Sequence, residues 1–206
     1  MRDTRSLDVC ILAGGLGTRL AGVWDGPKCL VPVAGKPLLV RLLDKVITLR
    51  PQRIVLALSH RHEEIRRLLF SIKEAIPSTI CFRICIQPAP TGTANALRDA
   101  FAVLGTDSVL VLNGDTLPLY DLGLLMYAAS GVPEIPIAAA WHSWRYAGAA
   151  VFNPIGREWV KNSTCVDLDE IILPQAERLH MARGFIDIGT PEVFHRAQQL
   201  TEKDLS

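Results

Sequence analysis

The sequence lacks the features that would assign it to several broad classes of protein. Its 22 basic and 21 acidic side chains leave a net charge of +1, so nothing in the composition indicates general binding to nucleic acid or to an anionic membrane. No apolar run is long enough to span a bilayer, and residues 1–6 lead into a short strand and not into a signal-peptide core. We therefore expect a cytoplasmic protein that contacts neither nucleic acid nor membrane.

Cysteines are few, and their spacing does not indicate a metal site. There are five, at positions 10, 29, 81, 85 and 165, with no Cys-x-x-Cys pair among them, which argues against zinc. Cys81 and Cys85 lie in an alternating apolar segment and are predicted to be small core residues. His60 and His62 have no ligand partners nearby in the sequence and are interpreted as surface or capping residues.

Apolar, strand-like segments alternate with segments of helical spacing through the first 130 residues. The predicted strands are 7–13, 53–58, 79–86 and 108–112, with helices at 37–49, 62–75 and 93–104. In the less regular remainder, strands are predicted at 135–140 and 147–152 and helices at 167–172 and 191–200. This alternation predicts a three-layer α/β/α fold around a mostly parallel central sheet. Ligands bind beyond the C-terminal ends of the strands in such sheets.

A glycine-rich turn follows the first strand. The segment Leu12–Leu20 (LAGGLGTRL) precedes Pro27 and Lys28. Glycines lack Cβ atoms, so their backbone N–H groups can approach phosphate oxygens closely. Arg19 offers a planar fork for two phosphate oxygens, and Lys28 adds a compact positive charge. A tight turn after a strand would explain the glycines alone, but the two cations favour a triphosphate site.

Two aspartates are associated with apolar segments. Asp115 ends the run 109–115 (VLVLNGD), and Asp187 lies in 185–192 (FIDIGTPE). A strand-end aspartate is often only a turn or capping residue. A carboxylate between apolar neighbours, however, needs a cation or hydrogen-bond donors. Two carboxylates close to a triphosphate indicate Mg²⁺, which prefers oxygen ligands.

A third motif is the segment 87–94 (QPAPTGTA). The carboxamide of Gln87 offers a donor and an acceptor to a base edge. Gly92 would let a flat ring approach the backbone, and a helix that starts at Thr93 would present free N–H groups. A proline-rich loop that caps a helix would use the same residues.

These motifs, in this order, resemble those of the sugar-1-phosphate nucleotidyltransferases, which make NDP-sugars. The ending 185–198 is most similar to the D-glycero-D-manno-heptose 1-phosphate guanylyltransferases. The resemblance implies a Rossmann-like, GT-A-like nucleotidyltransferase fold in one domain, 1–206, with a nucleotide-binding half at about 1–118 and a shortened sugar-phosphate-binding half at about 119–206. It also implies Mg²⁺-dependent transfer from an NTP, here GTP, to a heptose 1-phosphate, with release of pyrophosphate.

The resemblance also implies the site residues. Arg19 and Lys28 would be catalytic, and Asp115 and Asp187 would bind Mg²⁺. The predicted nucleotide-binding residues are Leu12, Ala13, Gly14, Gly15, Gly17, Thr18, Gln87, Gly92, Thr93, Asn113 and Gly114. The predicted sugar-phosphate-binding residues are Trp144, Arg145, Tyr146 and Gly148.

The middle of the chain departs from the family pattern. The Glu-Lys-Gly/Pro segment that contacts the sugar phosphate is missing, and 146–148 (YAG) stands in place of Asn-Ala-Gly. Arg145 or Lys161 would then replace the missing lysine. The shortened half is compatible with a homodimer that completes it.

Three alternatives remain. A hexose or cyclitol phosphate would suit the same chemistry. A molybdopterin guanylyltransferase would fit the length, although its lysine normally follows the glycine loop more closely. A catalytically silent relative would bind nucleotide or nucleotide-sugar, but it would have no need of both predicted metal carboxylates.

Overall fold

The computed structural model describes residues 7–105 and 108–205. The strands in these ranges are β1 (Leu7–Leu12), β2 (Pro32–Val33), β3 (Lys36–Pro37), β4 (Arg53–Leu58), β5 (Cys81–Ile86), β6 (Ser108–Asn113), β7 (Thr116–Pro118), β8 (Ile137–His142), β9 (Arg145–Phe152), β10 (Glu177–His180) and β11 (Phe185–Asp187). The α-helices are α1 (Leu38–Thr48), α2 (His62–Ser71), α3 (Thr93–Phe101), α4 (Leu122–Ser130), α5 (Pro154–Asn162), α6 (Asp169–Gln175), α7 (Pro191–Gln199) and α8 (Glu202–Leu205). Short 3₁₀ turns cover Thr18–Leu20, Lys28–Leu30 and Lys73–Ala75.

A seven-stranded sheet forms the centre of the molecule, in the order β10-β8-β9-β6-β1-β4-β5. Strands β6, β1, β4 and β5 are parallel. β9 pairs antiparallel with both β6 and β8, and β10 joins β8 in parallel. Alternate residues of β1 enter two apolar clusters, one packed with α1 and α7 and the other with α3, α5 and α6. The predicted α/β fold with a mostly parallel central sheet is confirmed.

The register of the parallel strands brings the three motifs to one edge of the sheet. Leu12 at the end of β1 pairs with Asn113 at the end of β6 and with Ala57 near the end of β4. A small antiparallel pair, β7 with β11, lies beside this edge and sets Asp187 opposite Thr116. The segments that follow β1, β5 and β6 therefore meet where the sheet's C-terminal ends open to solvent.

The second half of the chain contains elements that the sequence pattern did not predict. Helices α4 and α5 each begin after a capping side chain: Asp121 accepts from the N–H of Gly123, and Asn153 accepts from that of Gly156. Strands β7, β10 and β11 are three or four residues long, too short for an alternating pattern to identify. No helix in residues 7–105 and 108–205 is long and apolar enough to cross a membrane.

The prediction that Cys81 is a core residue is wrong. Cys81 is exposed and Cys85 is only half-buried. Both lie on β5, which is the outermost strand of the sheet. An edge strand has a neighbour on one side only, so its alternating apolar pattern does not guarantee that either face is fully covered.

Candidate active site

A cleft of about 1080 Å³ lies at the C-terminal edge of the parallel strands. The residues that the sequence predicted for the site, apart from Lys161, line it: the glycine-rich turn, the segment after β5, the two aspartates and the tip of the β8–β9 hairpin. The structure thus brings together side chains that are more than 150 positions apart in the sequence. The role of each side chain depends on its contacts within the cleft.

Lys28 is held close to Asp115. The side-chain Nζ of Lys28 lies 3.1 Å from Oδ2 of Asp115, and the lysine side chain is only 12% exposed. Its backbone begins a 3₁₀ turn after Pro27, whose carbonyl accepts from the indole N–H of Trp24 at 3.1 Å. Because a lysine ammonium has three protons, the ion pair with Asp115 leaves two for phosphate oxygens.

The two predicted metal-binding aspartates lie on adjoining segments. The N–H of Ile188 donates to the backbone oxygen of Asp115 at 2.8 Å, and Asp187 pairs with Thr116 in the β7–β11 ladder. Burial raises the pKa of Asp187, and the negative charge of Asp115 raises it further, while Lys28, Arg145 and Arg19 oppose the shift in that order. Two carboxylates that disfavour each other's ionisation need additional positive charge between them.

The carboxylate oxygens that Asp115 and Asp187 present to the cleft suit Mg²⁺. In residues 7–105 and 108–205, no three His, Cys, Asp or Glu side chains are grouped as a metal cage. Mg²⁺ does not require one, because it is usually bound through one or two carboxylates, several waters and substrate phosphates. Asp115 and Asp187 supply hard oxygen atoms, and both side chains are partly exposed to the cleft, at 32% and 38%.

The glycine-rich turn presents Arg19 at the mouth of the cleft. Gly17 has a φ of +69°, which lets the chain enter the 3₁₀ turn Thr18–Leu20. The side chain of Leu20 is fully buried, whereas Arg19 is exposed. The buried side chain of Leu20 anchors the turn, so the turn presents the exposed side chain of Arg19 to the cleft.

The environment of Gln87 differs in part from the prediction. Gln87 is buried, and its Nε2 donates to Oγ1 of Thr91 and to Oδ2 of Asp99, each at 3.0 Å. Both amide protons are therefore used within the protein, and only the carbonyl oxygen Oε1 remains to accept from a ligand. The Gln87 side chain can therefore accept from a base that presents N–H groups. It cannot also donate to that base, as the sequence had predicted.

The start of α3 is also less open than predicted. The N–H of Ala94 donates to Val166 O at 2.9 Å, and the hydroxyl of Thr93 accepts from the N–H of Leu168 at 2.7 Å. Gly92 has a φ of +99°, and a Cβ there would lie 2.4 Å from Val166. Gly92 is thus required by its backbone conformation and by packing on the segment before α6, and the predicted row of free N–H groups is partly occupied.

The predicted sugar-phosphate residues at the tip of the β8–β9 hairpin differ in their exposure and in their contacts. Trp144 is 84% exposed and contacts the His180 ring edge-on. Arg145 lies over the Phe185 ring, 5.2 Å from its centroid, with Nη2 3.7 Å from Oδ2 of Asp187. Lys161 is on α5, paired with Glu158 at 2.6 Å, and does not line the cleft. Of the two predicted substitutes for the family's lysine, only Arg145 is in position.

Seven polar or aromatic residues that line the cleft were not predicted from the sequence: Thr116, Trp141, Asp167, Asp169, Glu170, Arg178 and Phe185. The acidic run at 167–170 was visible in the sequence, but only as the start of a helix. Burial raises the pKa of Asp169, with Asp167 and then Asp115 adding to the effect. Asp169 thus lines the same cleft as the two aspartates and is affected by the charge of Asp115.

Known proteins resemble this chain in sequence and in fold. The sequence model of the MobA-like NTP transferase domain matches residues 9–194. The bifunctional protein GlmU of Mycobacterium ulcerans is 38% identical over 116 residues, which is 55% of this chain and 23% of that protein. GlmU of Pseudomonas aeruginosa is 34% identical over 120 residues, or 58% and 24%. The matched region thus spans about a quarter of these curated relatives.

Two solved structures cover nearly the whole chain. HddC from Yersinia pseudotuberculosis, complexed with GMP-PN, superposes with a TM-score of 0.73 at 25% identity, covering 92% of this chain and 97% of that one. The UTP-bound UGPase from Acinetobacter baumannii has a TM-score of 0.74 at 15% identity, covering 93% and 92%. The second likeness concerns the fold alone.

Proposed function

Because the chain belongs to the family of MobA-like NTP transferase domains, we propose that it transfers a nucleotidyl group from an NTP to a sugar 1-phosphate with Mg²⁺ and releases pyrophosphate. This family and its Rossmann-like fold agree with the resemblance found in the sequence. The observation that carries the proposal is the meeting of Lys28, Asp115 and Asp187 at the end of the glycine-rich turn. Phosphoryl-type transfers depend mainly on positioning and charge neutralisation, and this arrangement supplies both.

The chain's own residues would act on four phosphate groups, three of the NTP and one of the acceptor. The turn at 14–19 and the guanidinium of Arg19 would hold the β- and γ-phosphates of the NTP. An oxygen of the acceptor phosphate would attack the α-phosphorus in line, and the bond from that phosphorus to the pyrophosphate oxygen would break. The ammonium of Lys28, anchored on Asp115, would donate to the phosphate oxygens on which negative charge develops.

Asp115 and Asp187 would hold Mg²⁺. When bound, Mg²⁺ neutralises phosphate charge and aligns the attacking and leaving oxygens. Asp187 has to be ionised to act as a ligand, and its raised pKa works against this. The nearby guanidinium of Arg145 lowers the pKa of Asp187 and so favours the ionised form.

Guanine is the base that we propose for the donor. The free Oε1 of Gln87 accepts hydrogen bonds, and guanine presents an amino donor on the same edge as its ring N–H. The GMP-PN bound to HddC supports the same assignment. Uracil also has a ring N–H, so UTP is the competing donor to test.

A heptose 1-phosphate is the acceptor that we propose. Its support is the resemblance of residues 185–198 to the heptose 1-phosphate guanylyltransferases. The guanidinium of Arg145, 70% exposed at the cleft, can grip the acceptor phosphate with two parallel hydrogen bonds, where the family's lysine would supply a point charge. Hexose and cyclitol phosphates are the alternatives.

The proposal is tested by pyrophosphate release. The purified chain would be incubated with Mg²⁺, each of four NTPs and a panel of sugar 1-phosphates that includes heptose, hexose and cyclitol derivatives. We expect release with GTP and a heptose 1-phosphate, and loss of that release in Asp115→Asn. Lys161→Ala serves as the matched control, because this lysine lies outside the cleft.

Two results would contradict parts of the proposal. Faster turnover of a hexose 1-phosphate than of any heptose 1-phosphate would overturn the acceptor but leave the reaction class. Nucleotide binding without pyrophosphate release from any pair would overturn the reaction and favour the silent relative. Calorimetric titration with GTP, run beside the assay, separates these outcomes.

A further inference from the structure

The β8–β9 hairpin carries two buried polar atoms that have no hydrogen-bond partner in the described part of the chain. They are Nε1 of Trp141 and Oη of Tyr146. The two residues stand opposite each other in the hairpin register, so their side chains share one face of the sheet. Both residues line the cleft. Native proteins leave few buried polar atoms unsatisfied, and each exception calls for an explanation such as a ligand.

The strand order places this pair on the acceptor side of the two-aspartate site. Asp115 follows β6, Tyr146 lies on the next strand, β9, and Trp141 on the one beyond, β8. Neighbouring strands are about 4.8 Å apart, so Trp141 is about two strand spacings, or about 10 Å, from the strand that leads to Asp115. Gln87, the proposed base contact, follows β5 at the opposite edge of the sheet. The pair therefore faces the part of an acceptor that is remote from its reacting phosphate.

The surroundings of the pair are polar on the cleft side. The guanidinium of Arg178 stacks on the Trp141 ring, 4.2 Å from its centroid. Asp169 lines the same cleft and acts electrostatically on Tyr146. Burial, with smaller contributions from Tyr120 and Asp169, raises the pKa of Tyr146 well above its ordinary value, so its hydroxyl stays protonated. An indole N–H only donates, a carboxylate only accepts, and a neutral phenol does either.

We infer that Trp141, Tyr146 and Asp169 form a subsite for the hydroxyl groups of the acceptor's exocyclic chain. The carbons of such a chain carry hydroxyls, and each hydroxyl can both donate and accept a hydrogen bond. Hydroxyls therefore match the indole donor, the carboxylate acceptor and the phenol, which does either. An apolar group would leave the indole and phenol unpaired, and an anionic group would be repelled by Asp169. Hydroxyls of the ligand, or water that they order, would supply the partners that the two buried atoms lack. The inference rests on the proposed function, because it assumes a sugar phosphate acceptor.

The test combines two variants with a series of acceptors of decreasing length. Trp141→Phe and Tyr146→Phe remove the polar atom but keep an aromatic ring. The acceptors are a heptose, a hexose and a pentose 1-phosphate, which in their pyranose forms carry two, one and no exocyclic carbons. For the heptose we expect each variant to lower kcat/KM about 10- to 100-fold, since a site built to hydrogen-bond a hydroxyl discriminates strongly against its loss. For the pentose we expect little change in kcat/KM. The variants should therefore lose most of the wild type's preference for the acceptor with the longer exocyclic chain.

Matched controls separate this effect from damage to the fold. Trp159→Phe and Tyr127→Phe make the same chemical changes at residues that do not line the cleft, and we expect the wild-type preference in both. Thermal melting of all four variants detects any loss of folding. An equal fall of kcat/KM for all three acceptors would show a structural role and overturn the inference. An unchanged preference for the longer chain would overturn it as well.

Failure of the proposed function would be recognised separately, as an absence of wild-type turnover with every acceptor. In that case, calorimetric binding of the heptose 1-phosphate tests the subsite without turnover. Weaker binding by at least about tenfold in Trp141→Phe and Tyr146→Phe would support the subsite. Equal binding by the variants and the wild type, or no binding by any of them, would overturn it.

Discussion

The two halves of the chain, residues 7–118 and 119–205, build their sides of the cleft differently. In the first half, parallel strands end at one edge, and each motif is the loop that directly follows a strand. In the second half, the cleft is lined by a hairpin tip, an edge strand and the start of a seven-residue helix. In the first half, each lining motif follows a buried strand that the sequence predicts, whereas the lining segments of the second half do not all follow such strands. Short motifs therefore mark the first side of the cleft more clearly than the second.

The two halves also differ in how the polar groups that line the cleft are satisfied. In the first half, Lys28 pairs with Asp115, and Gln87 donates to Thr91 and Asp99. In the second, Tyr146 and Trp141 keep buried atoms without partners in the described chain. Burial of an unpaired polar group costs about 1–3 kcal/mol. In the proposed subsite, ligand hydroxyls would supply the partners that Trp141 and Tyr146 lack.

The largest expected effect is on the first half. Lys28→Ala should lower turnover at least about 100-fold, because a charge-assisted contact that strengthens in the transition state contributes about 3 kcal/mol. Arg19→Ala should do the same. Steady-state kinetics of pyrophosphate release measures both, with circular dichroism to confirm folding. Near-normal turnover in either folded variant would remove phosphate neutralisation from the mechanism.

A second comparison concerns the junction between the halves. Gly148 has a φ of +75°, and a Cβ there would lie 2.6 Å from Cγ2 of Thr116. Gly148→Ala should destabilise the protein by about 2–3 kcal/mol, from backbone strain and overpacking together. Gly15→Ala is the matched control, because nothing lies within 4 Å of its Cβ position. Denaturant melts of both variants would test this, and equal midpoints would mean that β9 does not press on β7 as described.

The acceptor side should respond more selectively. Arg145→Ala should raise the KM for the sugar phosphate about tenfold and leave the KM for the NTP nearly unchanged, because it removes binding to one substrate only. Arg145 also lowers the pKa of Asp187, so its removal should raise that pKa. Since Asp187 acts in its ionised form, the acid limb of the pH–activity profile should then move to higher pH. Equal effects on both KM values, or an acid limb that does not shift, would mean that Arg145 has only a structural role.

The smallest effect contrasts a buried thiol in the 3₁₀ turn Lys28–Leu30 with an exposed thiol on the edge of the sheet. Burial, followed by the charge of Asp115, raises the pKa of Cys29 to about 12, which leaves almost no thiolate at neutral pH. Cys81 is exposed on the edge strand. A thiol reagent at neutral pH should therefore modify Cys81 first, and Cys81→Ser should abolish the fastest phase. Rapid modification of Cys29 in the native protein would contradict its burial.

Local sequence patterns were informative wherever one segment carries the whole signal. The strand 53–58 was predicted with its observed bounds, and the predicted helix at 93–104 begins at the observed Thr93. The family, the fold and the set of residues around the glycine-rich turn follow from contiguous motifs. Strands β7 and β11 escaped prediction because each has three residues and exists only through pairing with the other. Trp141 and Arg178 escaped because an aromatic ring and a cation on separate strands reveal their contact only after folding.

By itself, the sequence determined the alternation of the main parallel strands and helices, the glycine-rich turn and the types of side chain that carry charge, because these depend on periodicity and on neighbours along the chain. The tertiary structure alone decided which of those groups meet. The β7–β11 ladder sets Asp187 beside Asp115, and Arg145, not Lys161, comes to lie at the cleft. The physical reason is that Coulomb interactions and hydrogen bonds act over a few ångströms in space. Separation along the chain does not predict those distances until the register of the sheet is known.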